Sequence, residues 1–91
     1  MEGRRTPYEI YWEILTYCKT PRPITQIIQR CDLNSKTVQD YVGFLESKGY
    51  LSKVSEEERI VYLTLLSARE FLNLFMRLYL ELFNNSPEFK L

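Results

Sequence analysis

Between Ile24 and Leu51, two apolar stripes at helical spacing are separated by only three residues. Ile24, Ile27, Ile28 and Cys31 recur as one face of a short helix. Val38, Tyr41, Val42 and Leu45 do the same over a longer helix at 35–48. Asp32-Leu33-Asn34 between them leaves room only for a tight turn, so the two helices must cross over a shared core. Asn34 or Ser35 can cap the second helix, because either side chain can accept a free backbone N–H of its first turn. Gly49 suits the left-handed position that follows a helix end.

The flanks extend the pattern. Thr6-Pro7-Tyr8-Glu9 has the form of a capping box with proline at the first helical position. Ile10, Ile14, Tyr17 and Cys18, widened by Tyr11 and Leu15, predict a helix from Pro7 to Cys18. Pro21 and Pro23 in Lys19-Thr20-Pro21-Arg22-Pro23 break it. Beyond Gly49, Tyr50 to Val54 has strand-like alternation, Ser55 to Glu58 is a polar turn, and Arg59 to Leu65 is a returning strand. Ser67-Ala68-Arg69-Glu70 has the form of a second capping box and predicts a helix to about Asn84, stopped by Asn85-Ser86-Pro87. An isolated hairpin is not stable, so it must pack on the helices. The order helix, helix, turn, helix, strand, strand, helix predicts a mainly α fold with a small β-hairpin. The expected arrangement is a winged helix-turn-helix over 1–66, continued without a break by a long C-terminal helix and short tail over 67–91.

Composition limits what such a chain can do. Its 91 residues make room for one domain, and 45% hydrophobic content is enough for a packed core. The formal charge is zero. Residues 1–53 hold eight basic against six acidic side chains and residues 54–91 hold four against six, a slight basic bias toward the helix-turn-helix. There is no apolar run long enough to span a membrane and no signal-peptide pattern, so a cytoplasmic protein is expected. The chain has no histidine and two cysteines, Cys18 and Cys31. A four-ligand zinc site within one chain is therefore not expected. The cysteines fall on apolar faces, as two buried free thiols or, alternatively, a disulfide. With no phosphate-binding glycine loop and no apposed nucleophile and base, neither catalysis nor a metal, cofactor or small-molecule ligand is expected.

A helix that buries Val38, Tyr41, Val42 and Leu45 turns Ser35, Lys36, Gln39, Asp40, Gly43, Glu46 and Ser47 outward. A short helix bracing a longer one is the layout that places the longer one in the major groove of double-stranded DNA. Small and hydrogen-bonding side chains suit that approach, although most surface helices carry a polar outer face.

Residues 25–51 resemble the archaeal ten-kilodalton winged-helix proteins, carried by Thr25, Ile27, Ile28, Leu33, Val38, Tyr41, Val42, Leu45, Gly49, Tyr50 and Leu51 without a gap. The resemblance extends over roughly residues 8–83 and implies a winged-helix fold, DNA as ligand and dimerisation through antiparallel C-terminal helices. Three departures stand out. Asn34 replaces the more usual serine. Thr64-Leu65-Leu66-Ser67 stands where the pattern has Thr-x-x-Gly, with Phe71-Leu72 one residue later. The hairpin tip, Glu56-Glu57-Glu58, is acidic where a wing that touches DNA is usually basic.

Base-edge contacts are expected from Ser35, Lys36, Gln39 and Asp40, with Thr37 at the backbone or a thymine methyl. Phosphate contacts are expected from Thr25, Gln26 and Arg30, from Lys53 and Arg59 beside the wing tip, and from an arm carrying Arg4 and Arg5. In the last helix, Ala68, Phe71, Phe75, Leu78 and Leu82 form a heptad-like seam. Leu72, Met76, Tyr79 and Phe83 run beside it, and Leu74 and Leu80 widen it. A domain this small covers one side of such a helix, so a homodimer through Phe71, Leu72, Phe75, Met76, Leu78, Tyr79, Leu82 and Phe83 is expected, rather than a membrane surface. A dimeric transcriptional regulator or a nucleoid-associated chromatin protein fits these features. A protein-interaction module using the acidic wing and the apolar helix is the alternative.

Overall fold

A computed structural model describes residues 6–83, in the element order α1 (Pro7–Tyr17), α2 (Ile24–Cys31), α3 (Ser35–Ser47), β1 (Leu51–Glu56), β2 (Arg59–Thr64), a 3-10 turn (Leu66–Ala68) and α4 (Arg69–Phe83). The expected mainly α architecture with one hairpin is what the chain forms. Residues 1–5 and 84–91, including the Asn84 end point expected for the last helix, lie outside the described residues.

Local chemistry sets the helix ends. The capping box at α1 is made in both directions: Glu9 N donates to Thr6 Oγ1 at 3.2 Å and Thr6 N donates to Glu9 Oε1 at 2.7 Å. Asn34, not Ser35, caps α3, accepting from Thr37 N at 2.8 Å. At the other end of α3, Gly49 takes φ 80°, its N–H reaches Glu46 O at 2.9 Å, and Tyr50 N reaches Leu45 O at 3.0 Å. Those two bonds satisfy carbonyls that the helix end leaves open. Asp32 ends α2 in the left-handed region at φ 57°, which lets three residues reverse the chain.

Ile10, Ile14, Leu15 and Cys18 of α1 pack with Ile27 and Cys31 of α2 and with Val38, Val42 and Leu45 of α3. Leu51 and Ala68 close the same cluster. The α3 stripe is buried as expected, with Tyr41 half-buried at its edge. Both cysteines are buried free thiols. Burial, reinforced by neighbouring Cys31, pushes the Cys18 thiol up to about 12.

Three local features depart from expectation. The hairpin is longer and tighter than expected: β1 runs on to Glu56, and the register Glu56↔Arg59 leaves Glu57 and Glu58 alone as the turn. Both take positive φ, 49° and 66°, as a two-residue turn matched to strand twist demands. Next, Lys19 to Pro23 does more than break a helix. Arg22 N donates to Tyr62 O at 3.0 Å and Tyr62 N donates to Arg22 O at 2.8 Å, a one-residue antiparallel bridge that ties the wing to the helices. A residue followed by proline is steered toward extended backbone, so Pro23 prepares Arg22 for that bridge. Finally, Ser67 does not open a capping box. Its hydroxyl donates to Gly49 O, the chain makes a 3-10 turn, and α4 begins at Arg69. A tertiary acceptor has taken the hydroxyl that the local pattern assigned to a cap.

Candidate nucleic-acid interface

Because the core face of α3 is filled, its outer face is open. Ser35, Lys36, Gln39, Asp40 and Gly43 are exposed and Thr37 is half-buried. Side chains one turn apart pair with each other: Gln39 Nε2 donates to Ser35 Oγ at 2.8 Å, and Lys36 Nζ lies 3.5 Å from Asp40 Oδ2. With 85% and 68% of those two side chains exposed, the ion pair contributes only about 0.3–0.5 kcal/mol and yields readily to a competing partner.

A groove runs between α3 and the wing, lined by Ile24, Gln39, Val42, Gly43, Glu46, Lys53 and Tyr62. It brings Gln39 and Lys53, distant in sequence, to one cleft. A Cβ added at Gly43 would meet nothing within 4 Å. Glycine in a helix interior costs about 0.5–1 kcal/mol relative to alanine, and the packing of this chain does not offset it. The bare backbone at Gly43 faces outward beside Gln39.

The remaining expected contacts are spread more widely. Thr25 and Arg30 are exposed and Gln26 is half-buried on α2. Gln26 and Arg30 share a cleft with Tyr17 and Gln29 rather than with α3, so they lie on the flank of α2 that faces α1. Lys53 and Arg59 are exposed on the wing, with Arg59 opposite Glu56 in the last pair before the tip. Arg4 and Arg5 lie outside the described residues. Sequence reasoning assigned no contact to Arg22. Its guanidinium carbon sits 4.2 Å from the Tyr17 ring centroid and its Nε donates to Tyr17 O at 3.3 Å. Its place between two prolines was the available signal.

The last helix, α4, packs on α1 and on the loop after α3. Phe75 lies 6.1 Å from Trp12, and Phe71 stacks 6.2 Å from Tyr50, ring centroid to centroid. Of the side chains expected at a dimer interface, Phe71, Leu72, Phe75, Met76 and Tyr79 are half-buried within this chain, while Leu78 and Leu82 are exposed. The side chain of Phe83 lies outside the described residues. Leu74 joins Leu78 and Leu82 at 54%, 55% and 65% exposure. These three form one wall of a largely apolar groove that Thr6, Tyr8, Glu9, Phe71, Phe75 and Tyr79 also line. Among the described residues, no helix is long and apolar enough to cross a membrane, and no group of three or more carboxylate, thiol or imidazole side chains could hold a metal ion.

Comparison with known proteins converges on one fold. The family model described as winged helix-turn-helix matches residues 4–78. Among solved structures, Sso10a-2, a DNA-binding protein from Sulfolobus solfataricus, superposes with a TM-score of 0.72 at 24% identity, covering 88% of this chain and 87% of that one. Sco5413, a MarR family transcriptional regulator from Streptomyces coelicolor, gives 0.70 at 17% identity over 79% of this chain and 54% of its own. The transcriptional regulator BldR from Sulfolobus solfataricus gives 0.69 at 16% identity over 87% and 63%. A search of curated proteins returned no match.

Proposed function

Since the chain belongs to the winged helix-turn-helix family, we propose that it binds double-stranded DNA with α3 in the major groove, and acts as a homodimeric transcriptional regulator or nucleoid-associated protein. The observation that carries this reading is the exposure of Lys36 and Gln39 on a helix whose other face is locked into the core. Coverage of those two side chains by the protein's own chain would have removed the surface that DNA needs. Ser35, Lys36, Gln39 and Asp40 read base edges, with Gln39 suited to adenine and Lys36 to guanine. Thr37 meets backbone or a thymine methyl. Thr25, Gln26, Arg30, Lys53, Arg59 and the arm residues Arg4 and Arg5 hold phosphates and fix the register.

Residues 1–66 form the DNA-binding unit and 67–91 the dimerisation element. The exposed Leu74, Leu78 and Leu82 support pairing through α4, since an apolar stripe on a small domain usually marks an interface. Two α3 helices related by a two-fold axis would then meet half-sites about one helical turn apart, roughly 34 Å.

Anisotropy titration of a labelled random-sequence duplex at low salt tests binding. Affinity for selected over random sites separates a sequence-specific regulator from a general chromatin protein, because specific binding is typically about 10³–10⁷-fold tighter. A second reading draws on the acidic tip, Glu56 to Glu58, whose charge repels phosphate. It is a protein-interaction module working through the wing and α4. Absence of binding to random duplex even at low salt favours that reading over DNA.

A further inference from the structure

The geometry points to a phosphate clamp made by Arg22 and Arg30 around Tyr17, which grips the DNA backbone bordering the groove that α3 reads. It rests on the DNA-binding reading above and adds to it Arg22, a residue that neither the sequence pattern nor the α3 groove assigns.

Arg22 is held more firmly than a surface arginine needs to be. Its backbone is bridged in both directions to Tyr62, and Pro21 and Pro23 restrict the chain on either side. Its Nε donates to Tyr17 O, and the guanidinium carbon lies 4.2 Å from the Tyr17 ring centroid. Stacking and that single bond use one edge of the planar fork and leave its other N–H groups directed elsewhere. Arg30 brings a second guanidinium to the same ring, 5.5 Å from its centroid. Among the described residues, neither arginine has a carboxylate partner in an ion pair. Glu13 lines the same cleft but is buried at 4% exposure and already engaged. The cleft gathers two guanidiniums against the one carboxylate of Glu13, so it keeps a positive excess that a phosphate can answer. A bidentate, pre-oriented guanidinium suits a phosphate in particular, because the side chain is already ordered in the free protein.

The position fits DNA. Ile24, at the start of α2, lines the α3–wing groove, whereas Gln26 and Arg30 line the cleft with Tyr17 on the other flank. The reading groove and the clamp thus lie on two flanks of the same short helix, α2. A helix that braces the reading helix runs beside the phosphate row that rims the major groove. Thr16 and Thr20 beside the clamp add hydroxyls that can donate to the same phosphate.

The test is the salt dependence of binding to a labelled random-sequence duplex, measured between about 50 and 200 mM salt, where each neutralised phosphate contributes about 0.9 to the slope of log affinity against log salt. Arg30→Gln removes an exposed side chain that makes no hydrogen bond among the described residues, so folding is not at risk, and it should lower the slope by about 1. Arg22→Gln with Arg30→Gln should lower it by about 2 and weaken binding by the same factor on every sequence. Thermal melting of that double variant checks that it is folded. Wild-type protein that fails to bind duplex at the lowest salt overturns the DNA reading, and the clamp with it. Wild-type protein that binds, with both folded variants keeping its slope, overturns the clamp alone.

Discussion

Gln39 donates from Nε2 to Ser35 Oγ across one turn of α3, at 2.8 Å. The amide is thereby held along the helix axis, with its carbonyl and remaining N–H on an exposed face. An adenine edge asks a glutamine for one donor and one acceptor, so the hydroxyl of Ser35 can orient that pair before DNA arrives.

Replacing Lys36 and Gln39 together by alanine should weaken binding to a preferred site by about 1–3 kcal/mol for each base edge no longer read. Binding to random duplex should change far less, and the dimer should be unaffected. Paired titrations on selected and random duplexes read this out. Equal weakening on both would mean that neither residue reads bases.

The α4 surface calls for different substitutions on its two sides. Leu78→Glu places a charge on the exposed stripe and should halve the mass measured by light scattering at micromolar concentration, with the melting temperature of the monomer domain preserved. Phe75→Glu should instead lower the stability of the domain itself, because half-buried Phe75 packs against Trp12. A Leu78→Glu protein of unchanged mass would place the interface elsewhere.

Thr64 fastens the end of the wing to α1. Its N–H reaches Cys18 O at 2.9 Å and its hydroxyl reaches Leu15 O at 2.6 Å. Thr64→Val keeps the shape and deletes the hydroxyl bond, leaving a carbonyl at the end of α1 less well satisfied. Stability in urea should fall by about 1–2 kcal/mol.

Glu57 and Glu58 form the wing turn at positive φ, where a side chain with a Cβ costs free energy. Glu57→Asn with Glu58→Gly supplies the residue pair that such a turn prefers. It should raise stability by about 1 kcal/mol and, by deleting two negative charges, raise affinity for random duplex at low salt. A thermal melt and one titration decide both halves.

Cys18 gives a stability change at alkaline pH. Its folded pKa, about 12, stands above the ordinary thiol value of 9.0, so between those values the unfolded chain has lost a proton that the native protein keeps. The sign follows: this group's contribution is complete below about pH 9, and it declines as pH rises toward 12. Compared with wild type, Cys18→Ala should show a shallower fall in stability across that window. The native thiol should also resist disulfide reagents at neutral pH, because thiolate is the reactive form. Rapid modification of Cys18 in folded protein would contradict its burial.

Legibility in the sequence tracked how local the cause was. The Thr6–Glu9 box, the Asn34 cap and the Gly49 ending each depend on residues within about one turn, and each forms in the structure. The α3 stripe was legible because helical spacing alone divides the buried face from the outer one. Ser67 shows the limit: its local pattern is that of a cap, yet Gly49 O, eighteen residues earlier, captures the hydroxyl. The extra turn length expected at the wing tip had a similar origin, since a run of glutamates has no residue favoured at positive φ and gives no sign of a two-residue turn.

The amino-acid order by itself determined the elements and the open face of α3, because apolar periodicity and capping chemistry act over a few residues. Tertiary structure alone decided which neighbours meet. It set Arg22 against Tyr17 and Tyr62, joined Gln39 and Lys53 across one groove, and sorted α4 into residues that pack at home, such as Phe75, and leucines left outside, such as Leu78. The physical reason is that burial and pairing are properties of surfaces brought together by the whole chain, and residue spacing along one helix cannot say how much of its apolar girth the rest of the molecule will cover.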